Sequence, residues 1–252
     1  MKKPYIGVSG VTRREEADYL LQRVPSGTDY ILQLGVQMSG GTLRGELNNY
    51  PNQFPVREIV SDIFPAHSRA FNVIHYHSGS RNPEKLLADL EEVVEVGGNR
   101  LHGIQLNMVW PSPEAVFMFK RRHPCRQIIL QLNREAMELV SNSPARAAML
   151  VARYENTLDY VLFDPSAGTG LGFDPEEARG YLNALRPLDI GLGVAGGLGQ
   201  GALGNVALLM KESPALSMDA QKRLQDGAGR LSLSKSVLYL GEAFALSEQA
   251  SL

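Results

Sequence analysis

Asp159-Tyr160-Val161-Leu162-Phe163-Asp164-Pro165-Ser166-Ala167-Gly168-Thr169-Gly170-Leu171-Gly172-Phe173-Asp174-Pro175-Glu176 decides the reading of the fold. Residues 159–164 form a short apolar run that ends on a carboxylate, which is the form of a strand buried on both faces. A glycine-rich connection follows. Asp174-Pro175-Glu176 then reads as a helix start with N-cap, N1 proline and first-turn acid. The cap oxygen accepts an otherwise unpaired N–H, and the proline has none to lose. Strand, loop and capped helix make one βα unit.

The same unit recurs along the chain. Apolar runs at 5–9, 30–36, 70–75, 103–107, 127–132, 191–195 and 215–219 have strand length. Asn82-Pro83-Glu84 and Ser112-Pro113-Glu114 repeat the helix start, and Ser143-Pro144 opens another helix. Thr12-Arg13-Arg14-Glu15 has the form of a capping box. Leu86, Leu87, Leu90, Val93 and Val94 recur with helical spacing. Eight β/α alternations predict an α/β fold with a parallel sheet. The 252-residue length fits a single (βα)8 TIM barrel spanning 1–252, with an open doubly wound sheet as the rival.

Composition narrows the class. With 44% hydrophobic and 21% charged residues, the chain has the balance of a soluble globular protein rather than a disordered one. Its apolar stretches fall short of the roughly 20 residues that span a bilayer. No apolar run follows Met1-Lys2-Lys3, so no signal peptide is expected. The single cysteine, Cys125, excludes an intrachain disulfide and a multi-cysteine metal site. The formal net charge of −2 gives no electrostatic drive toward nucleic acid or anionic membrane. A cytoplasmic protein with no cofactor is expected, its oligomeric state open between monomer and homodimer.

A barrel places its chemistry at the C-terminal strand ends. Those ends offer Ser9, Gln37, His75, His77, Gln105, Asn107, Gln131, Asn133, Asp164, Ser217 and Asp219. Asp164 can exchange protons with a ligand that approaches the Gly168-Thr169-Gly170 loop, or it can simply cap a tight turn. Gly196-Gly197 ends the seventh strand, where bare backbone N–H groups often hold a phosphate, although any turn can contain two glycines. His75 and His77, two apart, share a strand face. They are read as bases, as metal ligands with Asp164, or as loop histidines beyond the strand. His67, His102 and His123 precede strands and read as structural. The long 37–55 connection is a lid or a surface excursion.

Four stretches carry a family resemblance: Ile6-Gly7-Val8-Ser9-Gly10-Val11-Thr12 with Glu15, Glu16 and Ala17; Gly103-Ile104-Gln105-Leu106; Asp164 through Asp174; and Ala195-Gly196-Gly197-Leu198. In order and spacing they resemble the phosphoribosylanthranilate isomerase family of the ribulose-phosphate-binding barrels. The resemblance implies a (βα)8 barrel and an aldose-to-ketose rearrangement. In it a base takes the sugar C2 proton and an acid protonates the ring oxygen. Carried over, the acid is Asp164 and the base position is Ser9, where the family has cysteine. Free cysteine titrates at about 8.5, whereas a serine alkoxide is not accessible near neutral pH. His75 or His77 therefore precedes Ser9 as the candidate base. Asn107 stands where the family has histidine, and Gly40-Gly41 stands where it has arginine, leaving Arg44 as a substitute. Ser217 lies near the missing eighth-strand phosphate turn. The binding set implied is Gly168, Thr169, Gly170, Gly196, Gly197, Ser217, Gln105, Asn107 and Arg44, with no metal. The expected ligand is a small phosphorylated sugar or phosphoribosyl compound other than the anthranilate adduct. An epimerase, a lyase or a non-catalytic binding barrel are the alternatives. No expected strand contains the lysine that a Schiff-base lyase needs.

Overall fold

Eight parallel strands close on one another in chain order. They are β1 (Tyr5–Ser9), β2 (Ile31–Ser39), β3 (Ala70–His77), β4 (Gly103–Asn107), β5 (Gln127–Asn133), β6 (Tyr160–Asp164), β7 (Gly191–Ala195) and β8 (Ser217–Ala220). The last pairs with the first, Met218 opposite Ile6, and closes a (βα)8 barrel. The structure is a computed structural model that describes residues 2–79, 82–154, 156–166 and 169–250.

The helices form the outer ring. α1 (Arg14–Leu21) follows β1, and the short α2 (Gly40–Leu43) and α3 (Val60–Ile63) follow β2. Then come α4 (Pro83–Gly97), α5 (Pro113–Arg122), α6 (Arg134–Leu139), α7 (Pro144–Ala152), α8 (Pro175–Leu185), α9 (Gly204–Met210) and α10 (Leu233–Ala250). The proline-marked starts are where the sequence puts them. Asn82 accepts from Glu84 N, Ser112 from Ala115 N, Ser143 from Arg146 N and Asp174 from Glu176 N. The α1 box lies one residue later than expected. Its carboxylate is Glu16, which accepts from the Thr12 and Arg13 amides.

The strand boundaries differ at the C-terminal ends. β2 runs to Ser39 and β3 to His77, so Gln37 and both histidines belong to strands and not to loops. Gln33, Gly35 and Gln37 face inward while Leu34, Val36 and Met38 join the outer core, an alternation that extends the strand without an apolar run. The irregular connection therefore begins at Gly40.

Two cores result. The larger packs the outward strand residues against the helices. The smaller fills the lower barrel with Tyr5, Phe71, Val73, Ile129, Tyr160 and Leu162, and Ala195 joins it at the top, where it lines the recess. Three of its rings, Tyr5, Phe71 and Tyr160, lie 5.3–5.9 Å apart between centroids, as aromatic clusters favour. This plug closes the lower end, so a ligand must enter from the strand C-termini.

The opposite face is structural. Asp159 bridges Lys2 and Lys120 at 2.6 Å each and accepts from Ile128 N at 2.9 Å. His67, His102 and His123 hold Arg69 N, Asn72 N and Glu91 respectively. Cys125 is exposed beside β5's start. Among the described residues, no helix is long and apolar enough to cross a membrane.

Candidate functional site

Above the aromatic plug the barrel interior turns polar. A recess of about 430 Å³, counting its open mouth, is lined by His75, Gln105, Asn107, Gln131, Asp164 and Asp219, with the β6, β7 and β8 loops as its rim. Asp164 ends β6 at the floor. Gln131 Nε2 donates to its Oδ2 at 2.5 Å, and the Ser166 amide and hydroxyl donate to Oδ1 at 3.1 and 2.7 Å. Three donors fix the carboxylate plane. The turn-capping reading and the proton-exchange reading therefore apply to the same group, since Oδ1 caps the turn while the residue lines the recess.

Asp219 ends the inward face of β8, two strands away. Ser9 donates its hydroxyl proton to Asp219 Oδ1 at 2.8 Å, and the Ala220 amide also donates to the carboxylate. Burial pushes the Asp219 carboxyl up to about 7; Ser9 opposes the rise and the negative charge of Asp164 adds to it. The sequence offered Asp219 only as one strand end among many. The pairing with Ser9 joins residues 210 apart and has no local signal.

Two glycines let this cluster form. A Cβ on Gly7 would lie 2.3 Å from Gln33 Oε1 and 2.5 Å from Asp219 Oδ1. A Cβ on Gly35 would lie 2.6 Å from His75 Nε2 and 2.7 Å from Ser9 Oγ. Bare backbone on β1 and β2 is what allows side chains from β8, β1, β2 and β3 to approach one another across the barrel. His75 Nε2 and both Gln33 amide atoms are buried without a hydrogen-bond partner among the described residues. Such atoms carry a desolvation cost. Burial, with His77 nearby, lowers His75 to about 3, and burial lowers His77 to about 4, so both imidazoles are neutral at physiological pH.

The rim is built by the β6, β7 and β8 connections. Gly196 and Gly197 have φ of 107° and 62°, and a Cβ on Gly197 would lie 2.6 Å from Gly172 N. The glycine pair thus seats the β7 turn on the β6 loop, whatever it binds besides. Lys222, in a short 3-10 turn after β8, lines the recess, and its Cγ packs where a Gly170 side chain would begin. The strands carry no lysine, as the sequence indicates, and Lys222, two residues beyond β8, lines the recess from the turn that follows.

Several expected binders lie elsewhere. Arg44 pairs with Glu46 at 3.0 Å on the surface of the β2–β3 connection, away from the recess. Ser217 is buried one layer down and accepts from Tyr5 N at 3.1 Å, a contact that serves β1–β8 closure. Thr169 caps its own loop by donating to Ser166 O, and Gly168 lies outside the described residues. His77 shares Gln37 Oε1 at 2.6 Å and Asn107 Nδ2 at 3.3 Å, with Phe54 against its ring. His77 is thus tied to neighbours and only His75 lines the recess. Among the described residues no three acidic, histidine or cysteine side chains form a metal-binding group, so His75, His77 and Asp164 do not converge.

No family model matches the sequence, and no curated protein matches it significantly. Solved structures do. An aldolase named QR15 aligns at TM-score 0.59 with 10% identity, over 96% of this chain and 95% of its own. The tryptophan synthase alpha subunit of Legionella pneumophila str. Paris aligns at 0.59 with 12% identity, over 98% and 93%. The catalytic domain of a Pyrococcus furiosus chitinase aligns at 0.56 with 10% identity, over 96% and 95%. The likeness is one of fold. These names span different chemistries on the same barrel, so function has to be read from the site.

Proposed function

We propose that the chain is a sugar-phosphate barrel enzyme that interconverts an aldose and a ketose by proton transfer, with Asp164 as general acid. One observation carries this reading: Asp164, the Gly196-Gly197 turn and Lys222 line one polar recess. A ligand there meets a proton-transfer group at one end and, at the other, backbone N–H groups with a cation suited to a phosphate. The aldolase and the tryptophan synthase subunit among the similar folds support a barrel for small-molecule chemistry. The motif resemblance to phosphoribosylanthranilate isomerases supports the isomerase class. With Arg44 held by Glu46 away from the recess, no lysine or arginine among the described residues lines the recess from the β2 side to meet an anthranilate carboxylate. The substrate is a phosphorylated sugar or phosphoribosyl compound without that group, and the chain will not rescue a tryptophan auxotroph.

The test is a thermal-shift screen of phosphorylated aldoses and phosphoribosyl compounds, followed by turnover assays on the binders. A ligand at 100 times its Kd stabilises by about 2.7 kcal/mol. Asp164→Asn should abolish turnover and keep binding; unchanged turnover overturns the assignment. A second reading rests on Lys222, a lysine lining the recess of the kind Schiff-base lyase chemistry requires. Borohydride trapping of a covalent adduct at Lys222 would favour that lyase over the isomerase.

A further inference from the structure

Of the buried aspartates, Asp164 and Asp219 make no ion pair among the described residues, but Gln131 and Ser166 give Asp164 three neutral donors whereas Asp219 has the Ser9 hydroxyl and the Ala220 amide. Asp159 lies between two lysines, and Asp89 pairs with Tyr76 and Lys85. Asp219, only 6% exposed, has no ion pair among the described residues; its one side-chain donor is the Ser9 hydroxyl. A buried carboxylate so weakly compensated is costly for folding. It also lines the recess. Asp219 and Asp164 flank β7, whose inward residue at the Asp219 level is Ala195. The small side chain leaves the space between the two carboxylates open to a ligand. His75, the other basic group on the floor, is a neutral imidazole lodged beneath the Gly35 gap.

We propose that Asp219 is the base that takes the C2 proton of the sugar, working with Asp164 on the far side of β7, while Ser9 positions its carboxylate. This rests on the isomerase reading above. The two carboxylates share one proton across β7, and in the state that reacts it sits on Asp164 and leaves Asp219 ionised. In the open-chain aldose the C2–H bond breaks and its proton passes to Asp219. The electron pair becomes the C1–C2 double bond, and the C1 carbonyl π pair moves to O1, which receives the proton of Asp164. The enediol then loses its O2 proton to Asp164 and regains the Asp219 proton at C1. The product is the ketose, both carboxyl groups return to their starting states, and no external oxidant or reductant is needed. Ser9 thereby keeps a place in the chemistry without becoming an alkoxide.

The proposal is tested by deuterium exchange in D2O, read as loss of the C2–H proton signal. The probes are ribose 5-phosphate, glucose 6-phosphate and N-substituted 5-phosphoribosylamines. Binding of inorganic phosphate is measured in parallel as a check on the folded site. Wild type should exchange at least one probe. Asp219→Asn should slow that exchange by 10²-fold or more, within the usual range for general base catalysis, with phosphate affinity within about twofold of wild type. Ser9→Ala should lower the exchange rate and shift its pH midpoint, which a purely structural serine would not do. Exchange by Asp219→Asn at the wild-type rate, or loss confined to His75→Gln, overturns Asp219 as base and leaves the isomerase reading standing. Phosphate binding without exchange of any probe by wild type overturns both.

Discussion

Ser9 on β1 donates its hydroxyl to Asp219 Oδ1 on β8 at 2.8 Å, across the seam that closes the barrel. The bond anchors a carboxylate that burial and the Asp164 charge push up to about 7. Asp164, His75 and Lys222 share its recess, and the buried hydroxyls of Tyr5 and Tyr239 are close enough to feel its charge. The folded state therefore holds a proton on Asp219 that the unfolded chain releases near 3.8. A raised folded value gives stability that is fully present below the unfolded value and is lost as pH rises through about 7. Asp219→Asn removes this dependence. Its stability relative to wild type should grow by about 2 kcal/mol between pH 5 and pH 8. His75 and His77 are buried neutral and weaken the fold as pH falls below about 6.5, but they are present in both proteins and cancel in the difference. Urea unfolding of the pair at both pH values checks this; a constant difference would mean that Asp219 titrates normally.

Gly35 is required by contact and not by backbone conformation. A methyl group on it would press on His75 Nε2 and Ser9 Oγ at 2.6 and 2.7 Å. Overpacking of this kind costs about 1–3 kcal/mol, so Gly35→Ala should lower the urea midpoint accordingly. Gly27 is the control, since its Cβ would meet nothing within 4 Å. Gly27→Ala should be neutral or slightly stabilising through the unfolded chain. Equal effects at both positions would show that the Ser9–His75 gap is not tightly packed.

The barrel was legible because its punctuation is local. Each proline-marked helix start is written within three residues, and the same donors are satisfied in the fold. Asp164 was legible for the same reason: strand tip, glycine loop and capped helix follow one another in sequence. Asp219, Gln33 and Lys222 were harder. Gln33 is an inward polar residue inside an apolar strand, and Lys222 lines the recess from a turn beyond the strand that carries its neighbours. Their meaning depends on which strands become adjacent when the barrel closes. Arg44 shows the converse: its loop lies near the mouth in sequence, while Glu46, two residues away, pairs with it at the surface.

The β7 turn offers a separate test of the phosphate corner. Gly197 has φ of 62°, and a Cβ there would lie 2.6 Å from Gly172 N. Gly197→Ala must push the β6 loop away from the β7 turn, separating backbone N–H groups from Lys222. Inorganic phosphate affinity, measured by calorimetry, should fall about tenfold or more, a loss of about 1.4 kcal/mol. Lys222→Ala should weaken the same binding and reduce its dependence on salt, because one screened charge is removed. If Gly197→Ala binds phosphate like wild type, the anion is not held at this turn.

At the opposite end of the barrel, Asp159 ties the N-terminal segment to β5 and α5 through Lys2, Lys120 and the Ile128 amide. Burial alone would raise its carboxyl, but the hydrogen bonds from Lys120, Lys2 and Ile128 outweigh it and hold the group below its usual value. A depressed folded value gives stability that is present above the unfolded value of about 3.9 and is lost as pH falls through the folded one. Asp159→Ala leaves Lys120 part-buried beside an empty site and the Ile128 amide without its acceptor. Breaking a buried pair from one side costs about 3 kcal/mol, and the loss should be read in urea at pH 7. Asp159→Asn keeps an oxygen for Ile128 N and should recover part of it. At the phosphate corner neither variant should change anything, because Asp159 precedes the N-terminal end of β6 and Asp164 ends it. A fall in phosphate affinity in either variant would show that the two faces are coupled through β6.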